Sequence, residues 1–188
     1  VVQHDQSAHC GRDRRAIPAR WNHLSDRGVL GGESSWRQRS LEEADMSRTV
    51  VDAADLERRV KDMYTQVALE PQARYHFEMG REMASRLGYT DEELDAAPAA
   101  SIESFAGVGY YFGLANLRAG EHVVDLGSGS GMDSFIAAHK VGVDGQVTGI
   151  DMTDAQLAKA DRLGKEHAFR SVQFRRALID ATGLSDRC

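Results

Sequence analysis

The sequence predicts an α/β protein in which a helical N-terminal region precedes the first half of a parallel sheet. Three observations carry this. Apolar residues recur at helical spacing between Leu56 and Val67. From about residue 121 the pattern changes to apolar run, amphipathic stretch, apolar run, amphipathic stretch, apolar run. The first of those runs leads into three alternating glycines, in "VVDLGSGSGMD" at 123–133.

Composition narrows the field. Hydrophobic residues make up 41% of the 188, enough for a core, and the length suits one domain with an extension. A net charge of −6 argues against nucleic acid as a partner. No stretch has the apolar length of a membrane span, and the N-terminus has no apolar secretory run. Cys10 and Cys188 are the only cysteines, which is no disulfide framework, and a cytoplasmic setting is expected.

Residues 1–45 have scattered Trp, Arg, Gly and Ser and little periodicity; a disordered tail is expected there. They carry seven basic and seven acidic side chains, so the whole net charge sits after them. Two readings stay open: a real flexible tail, or residues lying upstream of a natural start at Met46.

The elements follow in order, with a helical region expected over 46–118. "DLERRVKDMYTQVA" predicts a first helix, with Leu56, Val60, Met63, Tyr64 and Val67 on one side. Pro71 suits the first turn of a second helix that would carry Phe77, Met79, Met83 and Leu87 and stop at Gly88. Thr90 and Glu93 have the spacing of a capping box for a short third helix. A sheet domain is expected over 119–188. "EHVVDL" reads as a strand, "MDSFIAAHKVG" as a helix ending near Gly142, and "GQVTGID" as a second strand. "TDAQLAKADRLG" reads as a helix with Thr153 as N-cap, and "SVQFR" as a third strand.

The glycine loop carries the functional reading. Gly127, Gly129 and Gly131 permit a tight strand-to-helix turn and close approach of a ligand to the free amides of the helix start. The dinucleotide pattern is G-x-G-x-x-G, but here Met132 stands in the place of its third glycine. Asp125, just before the loop, would repel a pyrophosphate and attract a cationic ligand. S-adenosylmethionine, with its sulfonium and ammonium, fits that order better than a nicotinamide dinucleotide. Asp151 closes the second strand 26 residues later, where an acid can accept hydrogen bonds from ribose hydroxyls. Met152 beside it suits an adenine face. Asp133 has two readings, a water-mediated ammonium contact or an ordinary first-turn helix acid. The pair Tyr110–Tyr111 either lines a cofactor pocket or packs. His76, His122, His139 and His167 are scattered and read as surface or packing residues, so no catalytic base and no metal site is assigned.

These motifs resemble class I S-adenosylmethionine-dependent methyltransferases, which have a Rossmann-like fold. "VVDLGSGSG" is similar to their motif I, and "VTGIDMT" to the acidic end of their second strand. More narrowly, "LRAGEHVVDLGSGSGMDSFIAAHKVGVDGQVTGIDMTDAQLAKA" resembles the arsenite methyltransferase-like branch. The resemblance implies transfer of a methyl group from S-adenosyl-L-methionine to a small-molecule acceptor. It assigns cofactor contacts to Asp125, Gly127, Ser128, Gly129, Gly131, Asp133, Asp151 and Met152, and to Tyr64 through "VKDMYTQVA". Two departures stand out. The branch often has Cys between the glycines before motif I, where Val108 stands here, and it holds trivalent arsenic with thiolates. After the third strand, Leu178 occupies the place of the usual acid, with Asp180 two residues on.

The family sheet has seven strands, and the 64 residues from Asp125 onward suffice for three. The first of them is therefore expected to have a bare edge, with aggregation, dimerisation through that edge or a partly molten chain as the consequence. The alternative to an active methyltransferase is a truncated, non-catalytic fragment that binds cofactor weakly or serves only as an interaction module.

Overall fold

A computed structural model describes residues 2–5 and 52–184. Strands β1 (Val2–Asp5), β2 (His122–Leu126), β3 (Gln146–Asp151) and β4 (Val172–Arg176) form one sheet in that order. β2, β3 and β4 run parallel, with Asp125 opposite Gly149 and Asp151 opposite Arg176. This is the half-sheet expected from the alternating pattern. β1 was not expected. It lies antiparallel along the outer side of β2, Val2 opposite Asp125 and Asp5 opposite His122. The reading of residues 1–45 as wholly disordered is corrected for these four, and β2 has no bare edge. Outward-facing amides and carbonyls of a strand demand partners, and a short extended segment supplies them. Met46, Cys10 and Cys188 lie outside the described residues.

The helices are α1 (Ala53–Leu69), α2 (Gly80–Leu87), α3 (Asp91–Asp95), α4 (Ala99–Glu103), α5 (Phe112–Ala115), α6 (Met132–Val141) and α7 (Asp154–Glu166). α1 starts where Asp52 accepts hydrogen bonds from the amides of Ala54 and Asp55. Pro71 does not open α2 as expected. It follows the C-cap Glu70 and blocks continuation of α1. Residues 71–79 make turns in which Tyr75 stacks on Phe77, until extended Met79 caps α2. Gly88 stops α2 with φ +112°, and Thr90 and Glu93 form the capping box of α3, both as the sequence indicated. Thr153 occupies the N-cap of α7 without a side-chain capping bond. α4 and α5 were not foreseen; at five and four residues they are too short to show a period.

One core joins the helical region to the sheet. Phe135 and Ile136 of α6, Val123 and Val147 of the sheet, and Tyr89, Leu94 and Phe112 of the helical region are buried in the same cluster. Phe135 packs on Phe169 with ring centroids 4.6 Å apart. A buried lysine adds a polar tie: Lys159 Nζ on α7 donates to the Ala68 carbonyl at 3.2 Å and to Ser104 Oγ at 2.7 Å. Ser104 in turn donates to the Val67 carbonyl, so the end of α1 is fastened to α4 and α7. Burial pushes the Lys159 ammonium below the usual lysine range.

Candidate functional site

β2 ends at Leu126 and the chain turns into α6 over 127–131. Two glycines of the turn have different tasks. Gly127 has φ +79°, and a Cβ there would project into open space. Gly131, the N-cap of α6, has φ +90°, and a Cβ there would lie 2.8 Å from Phe174 and 2.9 Å from Phe135. The first keeps an approach to the backbone open; the second lets the helix sit close against β4.

The turn faces a cavity of about 690 Å³, within the ordinary range for a small-molecule site. Asp125, Gly127, Ser128 and Gly129 line it from the strand end and turn. Asp133 enters from α6, Asp151 and Met152 from the end of β3, and Tyr64 from α1. Gly131 does not line the cavity, because its backbone has already turned into the helix and packs on the two phenylalanines. Tyr111 lines the cavity, whereas Tyr110 packs on Tyr89 and donates to Glu93 Oε1 at 2.8 Å. No histidine lines it among the described residues; His139 lies edge-on to Phe169.

The electrostatics are one-sided. Glu57, Asp125, Asp133, Asp151 and Asp180 line the cavity, with no Lys, Arg or His beside them among the described residues. Asp125 is buried, which pushes its carboxyl up. The Ser134 hydroxyl, donated to Asp125 Oδ2 at 2.7 Å, opposes that rise, while the charge of Asp151 adds to it. Asp133 is pushed up to about 7, by burial first and then by the charge on Asp125; a hydrogen bond from Tyr89 works the other way. Asp151 is already engaged on both oxygens, accepting from the Gly129 amide at 3.0 Å and the Thr153 amide at 2.8 Å. Each oxygen retains a second lone pair.

Several residues that build the site were invisible to sequence reasoning. Ser130 Oγ donates to Gln156 Oε1, and Gln156 Nε2 donates to the Tyr64 carbonyl at 3.1 Å, so α7 bridges the glycine turn and α1. Tyr89 donates to Asp133 Oδ1 at 2.7 Å. Ser134 supports Asp125. These pairs are 26 or more residues apart except for Ser134, whose place one turn into the helix was the only available signal.

The cavity suits a cofactor with a cationic amino-acid end. Buried carboxylates in a space without basic partners call for a cation. Among the described residues, Ser128 Oγ at the cavity wall is buried without a hydrogen-bond partner, an orphan that a ligand oxygen or nitrogen would satisfy. The open space at Gly127 admits a ligand against the main chain.

Comparison with known proteins agrees. Residues 117–187 match the family described as a methyltransferase domain. A stretch of 107 residues is 38% identical to the arsenite methyltransferase of Halobacterium salinarum, covering 55% of this chain and 26% of that protein. Another of 65 residues is 46% identical to the arsenite methyltransferase of Aquipseudomonas alcaligenes, covering 32% of this chain and 19% of that one. Among solved structures, the arsenic(III) S-adenosylmethionine methyltransferase CrArsM from Chlamydomonas reinhardtii is 35% identical, over 50% of this chain and 34% of that chain, with a TM-score of 0.43. The matched stretches span about a quarter or less of the two curated relatives' length. Residues 117–187, which carry the parallel strands β2, β3 and β4 and the glycine turn, are thus similar to methyltransferase domains. Within that class the chain is similar to the arsenite methyltransferases.

Proposed function

We propose that this chain binds S-adenosyl-L-methionine in the acid-lined cavity and transfers its methyl group to a small-molecule acceptor. The observation that carries the reading is the gathering of Asp125, Asp133 and Asp151 around a glycine turn with no basic residue lining the space, among the described residues. Bound there, the cofactor supplies a methyl group already activated by its sulfonium. Asp125 and Asp133 hold the cationic amino-acid end. Asp151 takes the ribose hydroxyls on its remaining lone pairs. Tyr64 and Met152 close on the adenosine, Gly127 and Gly129 admit it to the backbone, and Ser128 gains a partner. The protein's contribution is orientation and exclusion of water rather than acid–base chemistry. A dinucleotide is disfavoured, because its pyrophosphate would meet carboxylates at the turn.

Arsenite is the first acceptor to test, because the named relatives act under that name. Val108, 85% exposed at the cavity wall, is no thiolate, which favours another small acceptor. A cytoplasmic setting goes with this proposal, supported by a sequence without a disulfide framework; among the described residues no helix is long and apolar enough to cross a membrane. Self-association through a sheet edge would involve β1 or β4, the outer strands, rather than β2.

Calorimetric titration with S-adenosylhomocysteine and with NAD tests the reading. Binding of the first alone supports it; binding of NAD alone, or of neither, overturns it. An assay with S-adenosylmethionine, arsenite and glutathione then separates a methyltransferase acting on arsenite from one with another acceptor. Absence of turnover with every acceptor tried favours the non-catalytic alternative.

A further inference from the structure

Tyr89 belongs to the helical region, yet its hydroxyl reaches the sheet domain. It lies between Gly88, which stops α2, and Thr90, which caps α3. Its ring is 4% exposed and is held edge-on by Phe105, Tyr110 and Phe112 at 5.4, 5.0 and 6.1 Å. So clamped, the ring has one place to put its hydroxyl: 2.7 Å from Asp133 Oδ1, with the Gly109 carbonyl at 3.4 Å. Asp133 Oδ2 has no protein partner among the described residues, and the side chain lines the cavity.

We propose that Tyr89 is a positioning residue for the cofactor's ammonium: by donating to Oδ1 it favours the charged form of the Asp133 carboxylate and leaves Oδ2 for the ligand. This rests on the reading of the cavity as an S-adenosylmethionine site. The physical logic is selection of a protonation state. A phenol donor favours a carboxylate over a carboxylic acid. Around Asp133 that help is needed. Asp125 on β2 and Glu93 on α3 both raise its proton affinity, and Lys140 on α6 is paired with Glu93 at 2.6 Å. Tyr110 also donates to Glu93 and not to Asp133. Tyr89 is thus the one protein donor to this carboxylate among the described residues. Its own proton is secure, since burial and the adjacent carboxylates push the phenol far above its ordinary range. The Gly109 carbonyl, 3.4 Å away, is the weaker rival for the single phenol proton, which goes to Asp133 at 2.7 Å.

The test compares the wild-type chain with Tyr89→Phe, which keeps the ring and removes the donor. The probe is S-adenosylhomocysteine, whose amino group titrates equally for both chains, so the ratio of their affinities at each pH is the readout. The ratio is expected to be about fivefold or more in favour of wild type at pH 7 and to fall towards one at pH 9, where Asp133 is charged in both. Carboxyl carbon-13 titration of the ligand-free chains, with the Asp133 signal assigned by its loss in Asp133→Asn, should show a higher midpoint in Tyr89→Phe. Phe112→Leu, which disturbs the same aromatic cluster without touching the hydroxyl, should keep the wild-type midpoint. A ratio that is constant with pH, an unmoved carboxyl midpoint, or the same shift in Phe112→Leu overturns the proposal. Failure of wild type to bind at any pH overturns the cofactor reading instead, a result plainly distinct from binding with an unaltered profile.

Discussion

Asp151 Oδ2 lies 3.0 Å from the amide nitrogen of Gly129, so the acid that closes β3 also holds the glycine turn that follows β2. Two neighbouring strand ends thereby act as one unit. The carboxylate proposed to take the ribose also holds the loop beside it, so a change at Asp151 acts on both.

Asp151→Asn preserves shape but turns one oxygen into a donor. The Gly129 and Thr153 amides then compete for a single acceptor, and hydrogen bonds to a charged group are worth about 1.5–3 kcal/mol. Affinity for S-adenosylhomocysteine is expected to fall at least about tenfold by calorimetry. Retained affinity would place the ribose elsewhere.

Asp133 gives a pH dependence of known sign. Its folded carboxyl titrates at about 7, above its ordinary value, so the folded chain holds a proton the unfolded chain has released. Stability from this group is therefore present below the ordinary carboxylate range and is lost as pH rises towards and through 7. Asp133→Asn is expected to remove that loss and to stabilise the ligand-free chain by on the order of 2 kcal/mol at pH 8, while weakening cofactor binding. Denaturant midpoints at pH 5 and pH 8 read the first effect, and calorimetry the second.

Glu93 has the opposite sign. Burial raises its carboxyl, but Lys140, the Thr90 amide and the Tyr110 hydroxyl together outweigh that and leave it below the ordinary value. Its contribution is present above the usual carboxylate range and is lost as pH falls through the lowered folded value. Glu93→Gln should destabilise the chain at pH 7 by about 1–2 kcal/mol, with the difference from wild type closing in acid. The same Glu93 accepts from Tyr110, whose phenol is pushed up to about 12 by burial and by that carboxylate. The ultraviolet titration of tyrosinate should therefore show one group moving to lower pH in the variant.

Two alanine substitutions separate backbone strain from crowding. Gly127→Ala meets only an unfavourable positive φ and should cost about 1 kcal/mol. Gly131→Ala meets that strain and the rings of Phe135 and Phe174 as well, and should cost about 2–4 kcal/mol. Thermal melts of the two variants side by side check the order; equal losses would show that the rings yield.

The local signals in this chain were strong where a residue's task is done within a few neighbours. The Thr90–Glu93 box, the stop at Gly88, the turn at 127–131 and the acid before it all follow from short-range stereochemistry. Pro71 misled because a proline serves a helix start and a helix stop by the same missing amide, and only the extended Met79 tells which applies. The edge of β2 misled for another reason: its partner, Val2–Asp5, lies more than a hundred residues upstream.

The amino-acid order was enough to establish the alternation of strand and helix, the glycine turn and the two acids that flank the cavity, because each rests on contacts along the chain. What needed the folded molecule was the support behind those acids. Tyr89 meets Asp133 across 44 residues, Gln156 meets Tyr64 across 92, and Lys159 meets Ala68 across 91. Such pairs leave no period or spacing to read, since a buried donor finds its acceptor through packing rather than through sequence distance.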